Sequence, residues 1–117
     1  MSEIKIIKTP ISRSELKKIA EERYGDLVKA AVDIEQEIMA VGGELHIDEL
    51  TRLVEWEASK HENVWGINIY PENSGDEFIE FDSMVNIKPD LGNRTRDVDN
   101  EELKTKIISV VNKLIIS

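Results

Sequence analysis

The chain has 117 residues, of which 40% are hydrophobic and 33% charged, a composition typical of one small globular domain spanning residues 1–117. The formal net charge of −9 disfavours binding to nucleic-acid phosphates, and the absence of cysteine excludes disulfides, thiolate zinc sites and cysteine nucleophiles. No apolar stretch reaches the ~20 residues that span a bilayer, and the N-terminus has no apolar core typical of a secretory signal. We therefore expect a cytoplasmic protein that binds no membrane and for which nucleic acid is a disfavoured partner. A single glutamine and abundant Ile, Lys and Glu favour a heat-adapted source.

The first third of the chain predicts one strand followed by two helices. Residues 4–7 form a short apolar run consistent with a strand. Ser12 and Glu15 fit a capping box, in which the hydroxyl and the carboxylate satisfy amides at the start of a helix. A second helix is predicted over residues 26–41, because its apolar residues recur at intervals of four, three, four and three before two glycines end the pattern.

The middle of the chain predicts a strand and then an ambiguous element. Residues 44–48 alternate polar and apolar side chains, which is the period of a strand. Residues 48–59 fit either a short helix or a returning strand. The helix is preferred because the segment is rich in good helix formers, namely Glu49, Leu50, Arg52, Leu53 and Glu55.

The last part of the chain predicts a hairpin and a final helix. Two β-rich runs, residues 65–70 and 78–87, flank a polar turn that contains Gly75. Asp99 and Asn100 repeat the capping pattern ahead of an apolar helical stripe. The order β-αα-β-(α)-ββ-α predicts an α+β fold with an antiparallel or mixed sheet of about four strands that contains a hairpin, and with helices packed mainly on one face.

Glu44, His46 and Asp48 form the first candidate site. On a strand these side chains share one face, where two carboxylates and an imidazole could bind a divalent metal ion or act as an acid/base pair. Same-side positions lie ~6.6–7 Å apart, so three-point coordination requires a bent strand. In the alternative, the three side chains lie on the solvent face of a half-exposed strand. Because the pattern is short and common, this alternative is favoured. No cofactor is predicted, and a divalent metal is the one group left open.

The polar face of the predicted hairpin is the second candidate site. Its apolar face is read as core, whereas the opposite face carries Asn68, Tyr70, Glu80, Asp82 and Asn86. Such a face either meets water or lines a binding site. Asparagine is disfavoured inside strands, so its presence at two strand positions supports a binding site as the second interpretation.

Residues 92–96, with the sequence GNRTR, form a third candidate site. Gly92 permits close backbone approach, so backbone amides, Asn93 and the guanidinium group of Arg94 could bind an anion. In the alternative, the arginines pair with nearby carboxylates and hold the loop shut. The number of these carboxylates favours the alternative; they are Asp90, Asp97 and Asp99.

Three segments in order, IMAVGGELHID, VWGINIYP and IEFDSMVNIKPDLGNRTRDV, resemble a family of small bacterial and archaeal proteins known only as a domain of unknown function. The likeness extends from about Thr9 to the C-terminal helix and implies no activity, ligand or partner. One departure is Ala58, where the family pattern has a glycine before the serine. The motif positions include most of the candidates above: Gly42, Gly43, Glu44, Leu45, His46, Asp48, Trp65, Gly66, Asn68, Tyr70, Pro71, Ser83, Asn86, Pro89, Gly92, Asn93 and Arg94.

Three functions remain in competition. The leading hypothesis is a noncatalytic ligand-binding or regulatory domain, whose site would combine Glu44, His46, Asp48, Asn68, Tyr70, Asn86, Asn93 and Arg94. The first alternative is a small metal-assisted hydrolase built on the first three of these residues. The second is a homodimeric protein-interaction module whose exposed strand edge pairs across an interface. A triad of Ser83, His46 and Asp48 can also be drawn, but no nucleophile-elbow sequence supports it.

Overall fold

The computed structural model describes residues 3–117, and in this part of the chain three α-helices accompany a five-stranded antiparallel sheet. The sheet has the strand order β1-β4-β3-β5-β6, and β2 pairs separately with β7 in parallel. The strands are β1 Lys5–Ile7, β2 Ile11–Ser12, β3 Val28–Asp33, β4 Ile38–Val41, β5 Val64–Ile69, β6 Ile79–Glu80 and β7 Ile115–Ile116. The helices are α1 Arg13–Glu21, α2 His46–Glu57 and α3 Glu101–Leu114. The predicted α+β class is therefore confirmed.

The helices cover both faces of the sheet. Helices α1 and α3 pack on one face through apolar side chains such as Leu16 and Ile107. Helix α2 packs on the other face through Leu50 and Leu53. Two of the three helices thus share a face, as predicted, and the sheet is buried between two layers. Within the described residues, no helix combines the length and the apolarity that a membrane crossing requires.

The prediction of a second helix over residues 26–41 is wrong, because this segment is the β3–β4 hairpin. Its strands pair in register, with Ala30 opposite Val41 and Val32 opposite Met39. Both strands lie in the interior of a sheet covered on two faces, so almost every position is buried and the period of two disappears. A short buried strand cannot be told from a buried helix by apolar spacing alone. Asp33 shapes the turn by accepting hydrogen bonds from the backbone amides of Glu35 and Gln36 at 2.9 and 3.0 Å.

The prediction of a strand over residues 44–48 is also wrong, because α2 begins at His46. The side chains at His46, Glu49, Leu50 and Leu53 are buried against the sheet, with the i, i+3, i+4, i+7 spacing of one helical face. The preferred helix for residues 48–59 is confirmed, although it starts earlier than predicted. It ends at Glu57, and Ala58 follows with a left-handed φ of 56°. Glycine adopts that conformation without strain, so Ala58 occupies a position that favours glycine.

The predicted hairpin is confirmed only in its first strand and in the two residue pairs next to the turn. Strand β5 pairs with β6 through Asn68–Glu80 and Ile69–Ile79, but residues 81–87 are not a strand. They cross one face of the sheet and contain a 3₁₀ turn over Met84–Asn86. The predicted cap at Ser12 is confirmed, since Ser12 accepts from the Glu15 amide. The repeated capping pattern begins at Asp99, but the cap of α3 is Asn100, which accepts from two amides at the start of this helix.

Candidate functional site

A cavity of about 350 Å³ opens where the start of α2 meets strands β3 and β5 and residues 82–85. We call it the His46–Asn68 pocket. Its polar lining consists of Lys29, His46, Asn68, Asp82, Ser83 and Arg96. Its apolar lining consists of Leu45, Ile47, Met84 and Val85, of which the first three are exposed.

Regular secondary structure fixes the floor of the pocket. Lys29 on β3 stands opposite Asn68 on β5 in the antiparallel register, so both side chains rise from the same face of the sheet. His46 is the first residue of α2, which packs on that face. Side chains placed by strands and helices hold their geometry better than side chains on loops.

The tautomer of His46 follows from its hydrogen bond. Nε2 lies 2.8 Å from the carbonyl oxygen of Ile67, which can only accept, so Nε2 carries the proton. Burial lowers the pKa of His46 below its usual value of 6.5, and the positive charge of Lys29 adds to this effect. The Ile67 carbonyl, the Asn68 side chain and Asp82 oppose the shift. The ring is therefore neutral at pH 7, with a lone pair on Nδ1.

Asn68 has a buried acceptor with no donor. The residue is 8% exposed, and its Nδ2 donates to Glu80 Oε1 at 2.8 Å and to the Asp82 carbonyl at 3.4 Å. Its Oδ1 is buried and has no hydrogen-bond partner among residues 3–117. An unsatisfied buried acceptor costs about 1–3 kcal/mol, so a donor placed at Oδ1 would stabilise the folded protein.

Tyr70 supports this arrangement from outside the pocket. Its hydroxyl donates to Glu80 Oε1 at 3.1 Å, the same oxygen that accepts from Asn68. Burial raises the pKa of Tyr70, and the Glu80 carboxylate raises it further. The phenol therefore stays protonated at neutral pH, and the shared carboxylate holds the Asn68 amide in one orientation.

The Asp82–Arg96 ion pair lies at the mouth of the pocket. Arg96 Nε donates to Asp82 Oδ1 at 2.7 Å, and both side chains are about half exposed. Such a pair contributes at most about 1 kcal/mol. The arginine is thus held by Asp82 and not by any of the three carboxylates predicted to close the loop. Arg94 is exposed, lies outside the pocket and has no hydrogen bond or ion pair within the described residues.

Asn86 and Asn93 lie outside the pocket, and backbone groups occupy their amides. Asn86 is fully buried; its Oδ1 accepts from the Gly66 amide at 2.7 Å, and its Nδ2 donates to the carbonyls of Gly66 and Arg96 at 2.9 and 3.0 Å. Asn93 Nδ2 donates to the Asn86 and Asp97 carbonyls, both at 2.8 Å. These side chains tie residues 81–97 to the sheet where strand pairing is missing.

Glu44 and Asp48 lie apart from His46. Both carboxylates are exposed and line a different depression, beside Gly43. No group of three His, Cys, Asp or Glu side chains in residues 3–117 could hold a metal ion. The metal site predicted from Glu44, His46 and Asp48 rested on a strand that is in fact the start of a helix.

The Ser83, His46 and Asp48 triad has no geometric support either. Ser83 shares the pocket with His46, but its Oγ accepts from the Val85 amide at 3.2 Å and makes no hydrogen bond to the imidazole. Asp48 lines the other depression.

Two residues near the pocket were missed in the sequence, Lys29 and Glu49. Lys29 was not considered because residues 26–41 were predicted to form a helix. It is the single charged residue among residues 28–32, and on a buried strand such a charge indicates a polar site. Glu49 was read only as a helix former. It is completely buried: Oε2 accepts from the Gly43 amide at 2.9 Å, and Oε1 has no partner among the described residues.

Burial raises the pKa of Glu49 well above its usual value of 4.5, although the Gly43 amide and Lys29 oppose the shift. The folded protein therefore keeps this proton where the unfolded chain has lost it. We expect the free energy of unfolding to fall as the pH rises from 4.5 to the folded-state pKa, by up to about 1.4 kcal/mol per pH unit from this one group.

Glu49→Gln removes that proton linkage. Its free energy of unfolding relative to wild type should rise steadily with pH over the same interval, because glutamine does not ionise. Urea unfolding of both proteins across a pH series measures the difference. Glu55→Gln, on the exposed side of α2, is the matched control. Parallel pH profiles for wild type and Glu49→Gln would contradict the buried-carboxyl account.

The sequence was also compared with known proteins. The model of a protein family, described as "Protein of unknown function (DUF5674)", matches residues 5–114. No curated protein matches the chain, and no solved structure matches it. The matched residues include the whole lining of the His46–Asn68 pocket and every element except the last strand. The chain therefore belongs to the DUF5674 family of proteins of unknown function.

Proposed function

We propose that this protein is a noncatalytic ligand-binding domain, and that the His46–Asn68 pocket binds a small polar molecule. The main support is the Oδ1 atom of Asn68, a buried acceptor without a donor on a residue that lines this cavity. A ligand with an N–H or O–H group would satisfy this oxygen once a small shift of the lining exposes it, and would recover the free energy lost by its burial. The cavity volume of about 350 Å³ falls at the lower end of the range for small-molecule sites.

The arrangement of the polar groups favours binding over catalysis. To activate Ser83 as a nucleophile, His46 would have to accept the proton of its hydroxyl group. Ser83 is the one nucleophile candidate in the pocket, and it makes no hydrogen bond to His46. His46 and Asn68 both present acceptors, while Lys29 and Arg96 present positive charge. Such a set can recognise a ligand without a chemical step.

The remaining predictions concern the cellular location, the source and the oligomeric state of the protein. A cytoplasmic location, a heat-adapted source and a homodimer stay predictions from composition and strand edges. The net charge of −9 supports a partner other than nucleic acid.

An NMR screen tests the proposed function. The probes are a library of small carboxylates, amines, alcohols and amides, observed through the backbone amides of Asn68, Ser83 and Met84. We expect at least one class to shift these signals in a saturable manner, and Asn68→Leu to abolish the shift while keeping a wild-type circular dichroism spectrum.

Asn112→Leu is the matched control, because this exposed asparagine lies on α3, on the opposite face of the sheet. It should bind like the wild type. Absence of any saturable shift at the pocket, or full binding by Asn68→Leu, would contradict the proposed function.

A further inference from the structure

We propose that the ligand of the His46–Asn68 pocket is a free α-amino acid with an apolar side chain of intermediate size. This inference rests on the proposed function and adds the chemical class of the ligand. It follows from three properties of the lining: two neighbouring acceptors, one cation without an ion pair and an apolar rim.

The two acceptors require a ligand group with more than one N–H donor. Asn68 Oδ1 meets no donor at hydrogen-bond geometry. Because the single proton of neutral His46 is on Nε2, its Nδ1 carries a lone pair and cannot donate to that oxygen. A hydroxyl group has a single proton and satisfies only one of them. An ammonium group has three protons, so it can satisfy both and still interact with the Asp82 carboxylate in the same pocket.

The cation without an ion pair is Lys29. Its Nζ lies 5.5 Å from the centroid of the Tyr24 ring, but no carboxylate in residues 3–117 forms an ion pair with it. The other cation of the pocket, Arg96, is already paired with Asp82. A ligand carboxylate would therefore pair with Lys29, at a point separated from the acceptors that receive the ammonium.

The apolar rim sets the expected side chain. Leu45, Ile47 and Met84 are exposed by 51%, 48% and 66%, which is unusual for three large apolar side chains around one small cavity. Burying part of this rim against an aliphatic group is favourable, by roughly 25 cal/mol per Å². A branched or thioether side chain of leucine or methionine size fits a cavity of about 350 Å³.

A matched series of leucine analogues tests this class by isothermal titration calorimetry. The analogues keep the branched side chain: 4-methylpentanoate lacks the amino group, 2-hydroxy-4-methylpentanoate has one donor in its place, and 3-methylbutylamine lacks the carboxylate. We expect leucine to bind about tenfold tighter than each of them, the value of one charge-assisted hydrogen bond.

A variant separates the role of Lys29 from a general loss of the pocket. Lys29→Met should weaken leucine about tenfold and should not weaken 3-methylbutylamine, because the amine has no carboxylate to pair with Lys29 and loses a charge repulsion. Lys60→Met, which alters an exposed lysine beyond the end of α2, should bind both as the wild type does.

The outcomes distinguish the ligand class from the pocket itself. If an analogue or another library compound binds at the pocket as tightly as leucine, and Asn68→Leu abolishes that binding, the amino-acid class is overturned while the proposed function stands. If neither leucine nor any library compound binds there, both are overturned. Tightest binding of leucine, lost in Asn68→Leu and weakened in Lys29→Met, supports both.

Discussion

Asn86→Ala is expected to lower the free energy of unfolding by about 3 kcal/mol or more, one of the two largest effects of any single substitution considered. The side chain makes three hydrogen bonds to backbone groups: it accepts from the Gly66 amide and donates to the carbonyls of Gly66 and Arg96. Asn86 is fully buried, so alanine leaves these groups without partners and with little access to water. Each unsatisfied buried group costs about 1–3 kcal/mol.

Urea unfolding followed by circular dichroism measures this loss. Asn112→Ala, at an exposed position of α3, should change stability by no more than about 0.5 kcal/mol. A loss below about 1 kcal/mol in Asn86→Ala would mean that the segment is held by other contacts, and would contradict the role given to this amide.

Gly66→Ala is the second large effect, with an expected loss of about 3 kcal/mol. A Cβ atom on Gly66 would lie 2.5 Å from Ser83 Oγ, 2.6 Å from Ser83 Cβ and 2.9 Å from Val85 Cγ2. These atoms belong to the segment that crosses the sheet, where the Ser83 amide donates to the Arg96 carbonyl at 3.1 Å. The segment must shift to admit the methyl group, and overpacking of this kind costs about 1–3 kcal/mol or more.

Two further variants identify steric conflict as the cause. Gly75→Ala has open space around its new Cβ and should lose only about 1–2 kcal/mol, from its positive φ of 61°. Adding Ser83→Gly to Gly66→Ala removes the closest contacts and should recover part of the stability. If the two substitutions are instead additive in chemical denaturation, the close contact is not what makes Gly66 necessary.

Part of the fold was predictable because local chemistry decides it. Ser12 and Asn100 cap helices through hydrogen bonds within a few residues, and the capping pattern predicts the first at its residue and the second one residue early. The β3–β4 hairpin was missed because the sheet is covered on both faces, a property of the whole fold that leaves no alternation in the strands themselves. Because this segment was predicted as a helix, Lys29 was not recognised as a pocket residue. It lines the pocket because it lies on strand β3.

The candidate site was predictable in its centre and not at its edges. His46 and Asn68 were both identified and line one pocket, although His46 was placed on the wrong kind of element. Asn86 was singled out because asparagine is disfavoured within a strand. In the structure its side chain makes hydrogen bonds to the backbone of Gly66, in place of the strand pairing that is missing there. Alternating polarity in residues 81–87 resembled a strand because a segment crossing a sheet also buries some side chains and exposes others.

The most direct test of the central claim is a crystal structure of the protein soaked with the strongest binder from the library of small carboxylates, amines, alcohols and amides. The account predicts that an N–H or O–H donor of this compound lies about 2.7–3.2 Å from Asn68 Oδ1, with His46 still donating through Nε2 to Ile67. A compound bound elsewhere, with Asn68 Oδ1 still lacking a donor, would contradict it.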